Sequence, residues 1–110
     1  MRVHLIKEAT MRSFALVNAG SKSPFEEWLT KVKRADWQKP GDIKATFPSA
    51  DLLGNGCCRV VFDIGGNNFR MICKYAFAGA TVRLYVCWVG THAAYDKLCK
   101  RGEQYFVFDY

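Results

Sequence analysis

Apolar and polar positions change period once along the chain, near Cys58, and this change divides the predicted elements into two kinds. Before it, most of the spacing is helical. Residues 2–6, Arg2-Val3-His4-Leu5-Ile6, are the exception: short and partly alternating, they predict a first strand. In residues 11–19, Phe14 and Ala15 follow Met11 at helical spacing, and Gly20 supplies a C-terminal stop. A second helix is predicted to start with Ser23 as its cap, Pro24 at the first helical position and Glu26 completing a capping box. Phe25, Trp28, Leu29 and Val32 fall on one apolar face, with Lys31, Lys33 and Arg34 off it and Glu27 set to pair with Lys31. The helix should end near Asp36-Trp37, ahead of the Pro40-Gly41 break. Asp42 can cap a short helix through Phe47, stopped by Pro48, and residues 49–56 read as loop with one brief extended piece.

From Cys58 onward the period is two. Val60, Phe62 and Ile64 share one strand face, and Arg59, Val61 and Asp63 share the other. Gly65-Gly66-Asn67-Asn68 is a turn, because Gly and Asn tolerate positive φ. A strand over residues 69–77, a turn at Ala78-Gly79-Ala80 and a β-branched and aromatic strand over residues 81–89 complete a meander. Thr91 can cap a short helix over residues 93–100, and residues 105–108 can add a last strand. The predicted class is α+β, two N-terminal helices packed on an antiparallel sheet meander.

A length of 110 residues suits one domain, 1–110, which would bury roughly 65% of its unfolded surface. Half of the residues are hydrophobic and 24% are charged, a globular balance. The apolar runs fall short of the roughly 18 residues a membrane span needs, so no membrane partner is expected. Arg2, His4, Lys7 and Glu8 leave no room for a signal-peptide apolar core, which predicts a cytoplasmic protein. The net charge of +6 favours polyanions or an acidic protein partner. Five cysteines, an odd count without an export signal, argue against a disulfide framework. With no C-x-x-C pair and two widely separated histidines, neither metal nor cofactor is expected.

Arg70, Ile72 and Lys74 alternate onto one strand face, and Arg83 on the next strand can join them if the register allows. Cations on one sheet face suit a phosphate backbone, and equally an ordinary solvated face. The second constellation is Gly90-Thr91-His92-Ala93-Ala94-Tyr95-Asp96-Lys97, directly after a strand, where side chains are held by the sheet yet open to ligand. His92 can move a proton near neutral pH, Tyr95 can stack on a base or use its hydroxyl, Lys97 can neutralise a phosphate, and Asp96 can orient a neighbour. The same residues also suit a helix N-terminus with a polar surface. Metal-free RNA cleavage needs only a base for the ribose 2′-hydroxyl, cations for the phosphate and an acid for the leaving 5′-oxygen. The scattered carboxylates do not form the paired set of a metal nuclease, and no Walker loop, nucleophile elbow or dinucleotide fingerprint is present.

Four blocks occur in order: Val32-Lys33-Arg34-Ala35-Asp36-Trp37, Ile43-Lys44-Ala45-Thr46-Phe47-Pro48-Ser49-Ala50-Asp51, Val60-Val61-Phe62-Asp63-Ile64-Gly65-Gly66-Asn67-Asn68-Phe69-Arg70, and Val89-Gly90-Thr91-His92-Ala93-Ala94-Tyr95-Asp96-Lys97. Together they resemble the HigB family of RelE-like mRNA interferases. The resemblance implies a RelE-like fold and a toxin of a type II toxin–antitoxin system that cuts mRNA on the ribosome. It implies mRNA, the ribosome and a HigA-type helix-turn-helix antitoxin as partners. It matches Arg70 to the arginine such toxins carry in the strand after the hairpin turn, and His92 and Tyr95 to the residues after the final sheet strand. Arg70, His92 and Tyr95 are thus the expected catalytic set, with Lys44, Lys74, Arg83, Lys97 and Asp96 as RNA or phosphate contacts. The alternatives are a non-catalytic RNA- or ribosome-binding module and an adaptor for an acidic protein.

Overall fold

The alternation beyond Cys58 becomes three long neighbouring strands, β3 (Arg59–Ile64), β4 (Phe69–Ala78) and β5 (Thr81–Thr91). In this computed structural model, which describes residues 1–54 and 56–108, two short strands extend the sheet. β1 (Arg2–Ile6) pairs parallel with β5, and β2 (Asp51–Leu52) pairs antiparallel with β3. The sheet order is β1-β5-β4-β3-β2. The parallel β1 edge departs from the purely antiparallel meander expected. It is possible because the intervening helices carry the chain back across one face, the crossover that parallel pairing requires.

Those helices are α1 (Glu8–Val17) and α2 (Lys22–Arg34), joined by a 3₁₀ turn over Ala19–Ser21. α1 starts and ends earlier than Met11 and Gly20 suggested. α2 starts one position before Ser23, and neither Ser23 nor Glu26 forms the predicted capping box. Ser21 stands at the N-cap, but its hydroxyl donates back to the Asn18 carbonyl at 2.6 Å. The 3₁₀ turn runs straight into the helix, so Pro24 falls in the first turn, where its missing N–H costs nothing. Glu26 instead meets Arg12 of α1 at 3.3 Å, and Lys31 lies over the Phe47 ring at 6.0 Å rather than pairing with Glu27. Phe25, Trp28, Leu29 and Val32 are all buried, as the helical spacing required. Their burial contributes roughly 6–12 kcal/mol before the entropy of ordering is subtracted.

This helical layer covers the sheet face built by Val60, Phe62, Met71, Cys73, Val82, Leu84 and Val86. Trp28 and Phe47 both pack edge-on against Phe62, with ring centroids 5.3 and 5.0 Å away. Asp42 does not cap the short helix α3 (Ile43–Thr46). Its carboxylate faces backward and accepts from the backbone N–H of Gln38 and Lys39 at 2.8 and 3.3 Å, closing the Pro40–Asp42 3₁₀ turn.

The opposite sheet face is also covered. α4 (His92–Lys100) begins where β5 ends, with the Thr91 hydroxyl accepting from the Ala94 N–H at 3.2 Å. Leu98 and Tyr95 of α4, together with Val107, pack on Val61, Ile72, Cys87 and Trp88. Residues 105–108 are not a strand. Glu103–Tyr105 forms a 3₁₀ turn that folds the following residues back over this second face. No helix among the described residues is long and apolar enough to cross a membrane.

Candidate functional site

One irregularity in the sheet builds the site. Ile72 pairs with Trp88 but Cys73 pairs with Val86, so β5 carries one extra residue, Cys87, at a bulge. Before the bulge, Val82, Leu84 and Val86 face the α1–α2 layer. After it the alternation is inverted, and Trp88 and Gly90 face the α4 side. Gly90 then lies directly opposite Arg70. A Cβ on Gly90 would sit 2.4 Å from the Trp88 ring, so the glycine gives the indole its seat.

Arg70 is buried at 7% exposure. Its Nε lies 3.1 Å from Asp63 Oδ1 on the neighbouring strand. Its terminal nitrogens donate to the Phe69 carbonyl at 3.0 Å and the Asn67 side-chain oxygen at 2.6 Å. Each nitrogen is therefore held, and one N–H on each terminal nitrogen is left over. Gly65 and Gly66, both at positive φ, shape the turn that delivers Asn67 to the guanidinium. Arg70 is thus a rigid, locally neutralised cation. Ile72, two residues on, is fully buried, and Lys74 is exposed. The expected open cationic face is divided by an apolar cluster that α4 completes.

His92 and Tyr95 occupy the first turn of α4, which Thr91 and the His92 N–H to Asn68 carbonyl bond (3.0 Å) tie to the turn beside Arg70. His92 Nε2 lies 3.6 Å from Asp96 Oδ2, while Nδ1 is buried with no hydrogen-bond partner among the described residues. Tyr95 is half-buried, its ring 6.2 Å from that of Trp88 and tilted by 46°. Burial pushes its phenol well up; Cys99 and Asp51 add to this, and the positive charge of Arg70 opposes it. Tyr95 is therefore a neutral hydroxyl at physiological pH, able to donate a hydrogen bond but not to act as a phenolate.

The remaining candidates scatter. Asp96 and Lys97 share the exposed side of α4. Arg83 lies opposite Ala76, on the same sheet face as Lys74 but toward the β1 edge. Lys44 belongs to α3, and its ammonium donates to the Ala50 carbonyl at 2.8 Å, bracing the loop that leads into β2. Sequence reasoning passed over Asp63, Asn67 and Trp88, the residues that hold Arg70 and Tyr95. Asn67 was visible as a turn residue, but its contact depends on the hairpin geometry, and the position of Trp88 depends on the bulge.

The segment that carries Arg70, His92 and Tyr95 falls within a stretch that a known family matches. The family model described as "HigB_toxin, RelE-like toxic component of a toxin-antitoxin system" matches residues 21–98, from the start of α2 almost to the end of α4. The chain belongs to this family of toxin components, the HigB family. An mRNA interferase HigB of Escherichia coli O6:H1 (strain CFT073) is 32% identical over 94 residues, covering 73% of this chain and 89% of the relative. The mRNA interferase toxin HigB of Escherichia coli K12 is 28% identical over 94 residues, covering 86% of this chain and 88% of the relative.

Proposed function

We propose that this chain, as one domain of RelE-like fold, is the mRNA-cleaving toxin of a type II toxin–antitoxin pair and acts on mRNA in the ribosomal A site of the cytoplasm. The observation that carries the reading is the Arg70–Gly90 register pair, which sets a fixed guanidinium beside the helix turn bearing His92 and Tyr95. The names of the relatives, mRNA interferases, supply the substrate class.

In this mechanism the RNA provides its own nucleophile. A base takes the proton from the ribose 2′-hydroxyl, whose oxygen attacks the adjacent phosphorus. The 5′-oxygen leaves with a proton, and a 2′,3′-cyclic phosphate remains. The spare N–H groups of Arg70 donate to the phosphate oxygens as charge builds. His92, oriented by Asp96, moves the proton. Tyr95 donates its hydroxyl or stacks on a base. Lys97 and Arg83 contribute to the basic surroundings that attract RNA. This chemistry needs no metal and no cofactor. A HigA-type helix-turn-helix antitoxin is the partner that neutralises the toxin.

The test is induction in growing cells with mapping of mRNA 5′ ends, followed by His92→Ala and Arg70→Ala variants whose folding is checked by urea denaturation. Growth arrest with new 5′ ends, abolished in either folded variant, is the expected result. Arrest with no new ends would indicate an RNA- or ribosome-binding module instead. Full toxicity in both folded variants would remove these residues from the site.

A further inference from the structure

Arg59 and Lys74 are paired directly across β3 and β4, on the sheet face that α4 only partly covers. Two like charges in opposed positions destabilise a sheet unless something negative lies between them. Among the described residues neither has a carboxylate partner within an ion pair. Arg59 is nonetheless buried, at 5% exposure. Its company comes from the end of the chain: its Nη1 donates to the Val107 carbonyl. The Phe108 ring lies 5.5 Å from the Arg59 guanidinium and 6.0 Å from the Lys74 ammonium. A carbonyl oxygen and the negative face of an aromatic ring are the weak substitutes a protein offers two cations in place of an anion. A cavity of about 410 Å³ opens beside them, lined also by Cys58, Tyr105 and Phe106.

We propose that Arg59 and Lys74 form a second anion site, for a phosphate of single-stranded RNA, and that the segment ending at Phe108 caps it until RNA displaces it. The site is separate from Arg70. Lys74 lies four residues along the same strand, about 13 Å away, with buried Ile72 between them. The two cations would therefore hold a different phosphate of the same strand. The capping residues lie outside the span 21–98 that the family model matches. The proposal deepens the RNA-cleaving reading by adding a binding subsite, and its test is independent of cleavage.

The probe is a short single-stranded RNA, fluorescently labelled and 2′-O-methylated at every position, so that it binds but cannot be cut. Its affinity for the full chain is measured by anisotropy across a salt series. Lys74→Gln should weaken binding by about 3- to 10-fold and reduce the log–log salt slope by about 0.7, the loss of one phosphate contact. Phe108→Ala should tighten binding by about 3-fold, because the cap no longer competes. Urea midpoints of both variants establish that they remain folded; both substitutions are at exposed side chains. An unchanged affinity and slope in Lys74→Gln would overturn the anion site. Weaker binding in Phe108→Ala would overturn the cap, since the ring would then be contacting RNA. If Lys74→Gln shifts binding but the wild type cuts no mRNA, the subsite stands and the cleavage reading falls.

Discussion

Replacing Gly90 with alanine tests the architecture of the site at its tightest point. Gly90 is buried in β5, and its backbone lies outside the left-handed region, so alanine meets no conformational penalty there. In open space such a change would stabilise the protein by about 0.4–1 kcal/mol through the unfolded state. Here the new Cβ would stand 2.4 and 2.5 Å from two carbons of the Trp88 ring, whereas ordinary contact begins at 3.4 Å. The indole must retreat by about 1 Å, and Tyr95 packs against it. Overpacking of this kind costs about 1–3 kcal/mol, which exceeds the entropic gain. The expected net loss is about 1–2 kcal/mol, seen as a fall of roughly 4–8 °C in Tm. Urea denaturation of Gly90→Ala, Trp88→Leu and the double variant supplies the assay. In the Trp88→Leu background the alanine should become neutral or stabilising, a coupling of about 1 kcal/mol or more. A wild-type background in which Gly90→Ala stabilises, or a cycle without coupling, would refute the seating of the indole on Gly90 and with it the placement of Tyr95.

Two further expectations concern charge. Arg70→Met should cost about 1–3 kcal/mol, with water replacing the partner of the partly exposed Asp63, and Asp63→Asn should cost at least about 1–3 kcal/mol, because it leaves the buried guanidinium without its counter-charge; a double-mutant cycle with no coupling would show that the pair does not anchor Arg70. Burial raises the thiols of Cys73 and Cys87 and the phenol of Tyr95. The folded chain thus holds these protons more tightly than the unfolded one, so their contribution is fully present below the unfolded values, starting near pH 8.5, and is lost as pH rises toward the folded ones. Urea midpoints should fall from pH 8 to pH 10, with a shallower slope in Cys73→Ala; a flat profile in the wild type would contradict this.

The local chemistry of the site was legible where neighbours in sequence create it. Thr91 caps α4 because its hydroxyl needs only the N–H three residues on, and His92, Tyr95 and Asp96 share the first turns of that helix for the same reason. The turn at Gly65 and Gly66 follows from their positive φ. The α2 cap, by contrast, was misplaced. A 3₁₀ turn upstream delivered the chain already wound, which made Ser23 an ordinary first-turn residue. Residues 105–108 have strand-like composition, but the 3₁₀ turn at Glu103–Tyr105 carries them across a sheet face rather than along an edge. They close over Arg59 and Lys74 instead.

Periodicity alone determined most of this protein: a helical first half whose apolar stripe had to be buried, an alternating second half that had to pair, and a basic chain with His and Tyr after its last strand. It could not determine which way the end of β5 faces. Strict alternation would send Trp88 and Gly90 inward with Val82, Leu84 and Val86. The bulge at Cys87 sends them to the other side, opposite Ile72 and Arg70. A bulge depends on pairing between strands, and a single extra residue reverses every side chain beyond it. The same holds for Arg70 itself. The sequence marks it as a cation on a strand, but only packing makes it a buried, triply held group whose remaining donors can meet a phosphate.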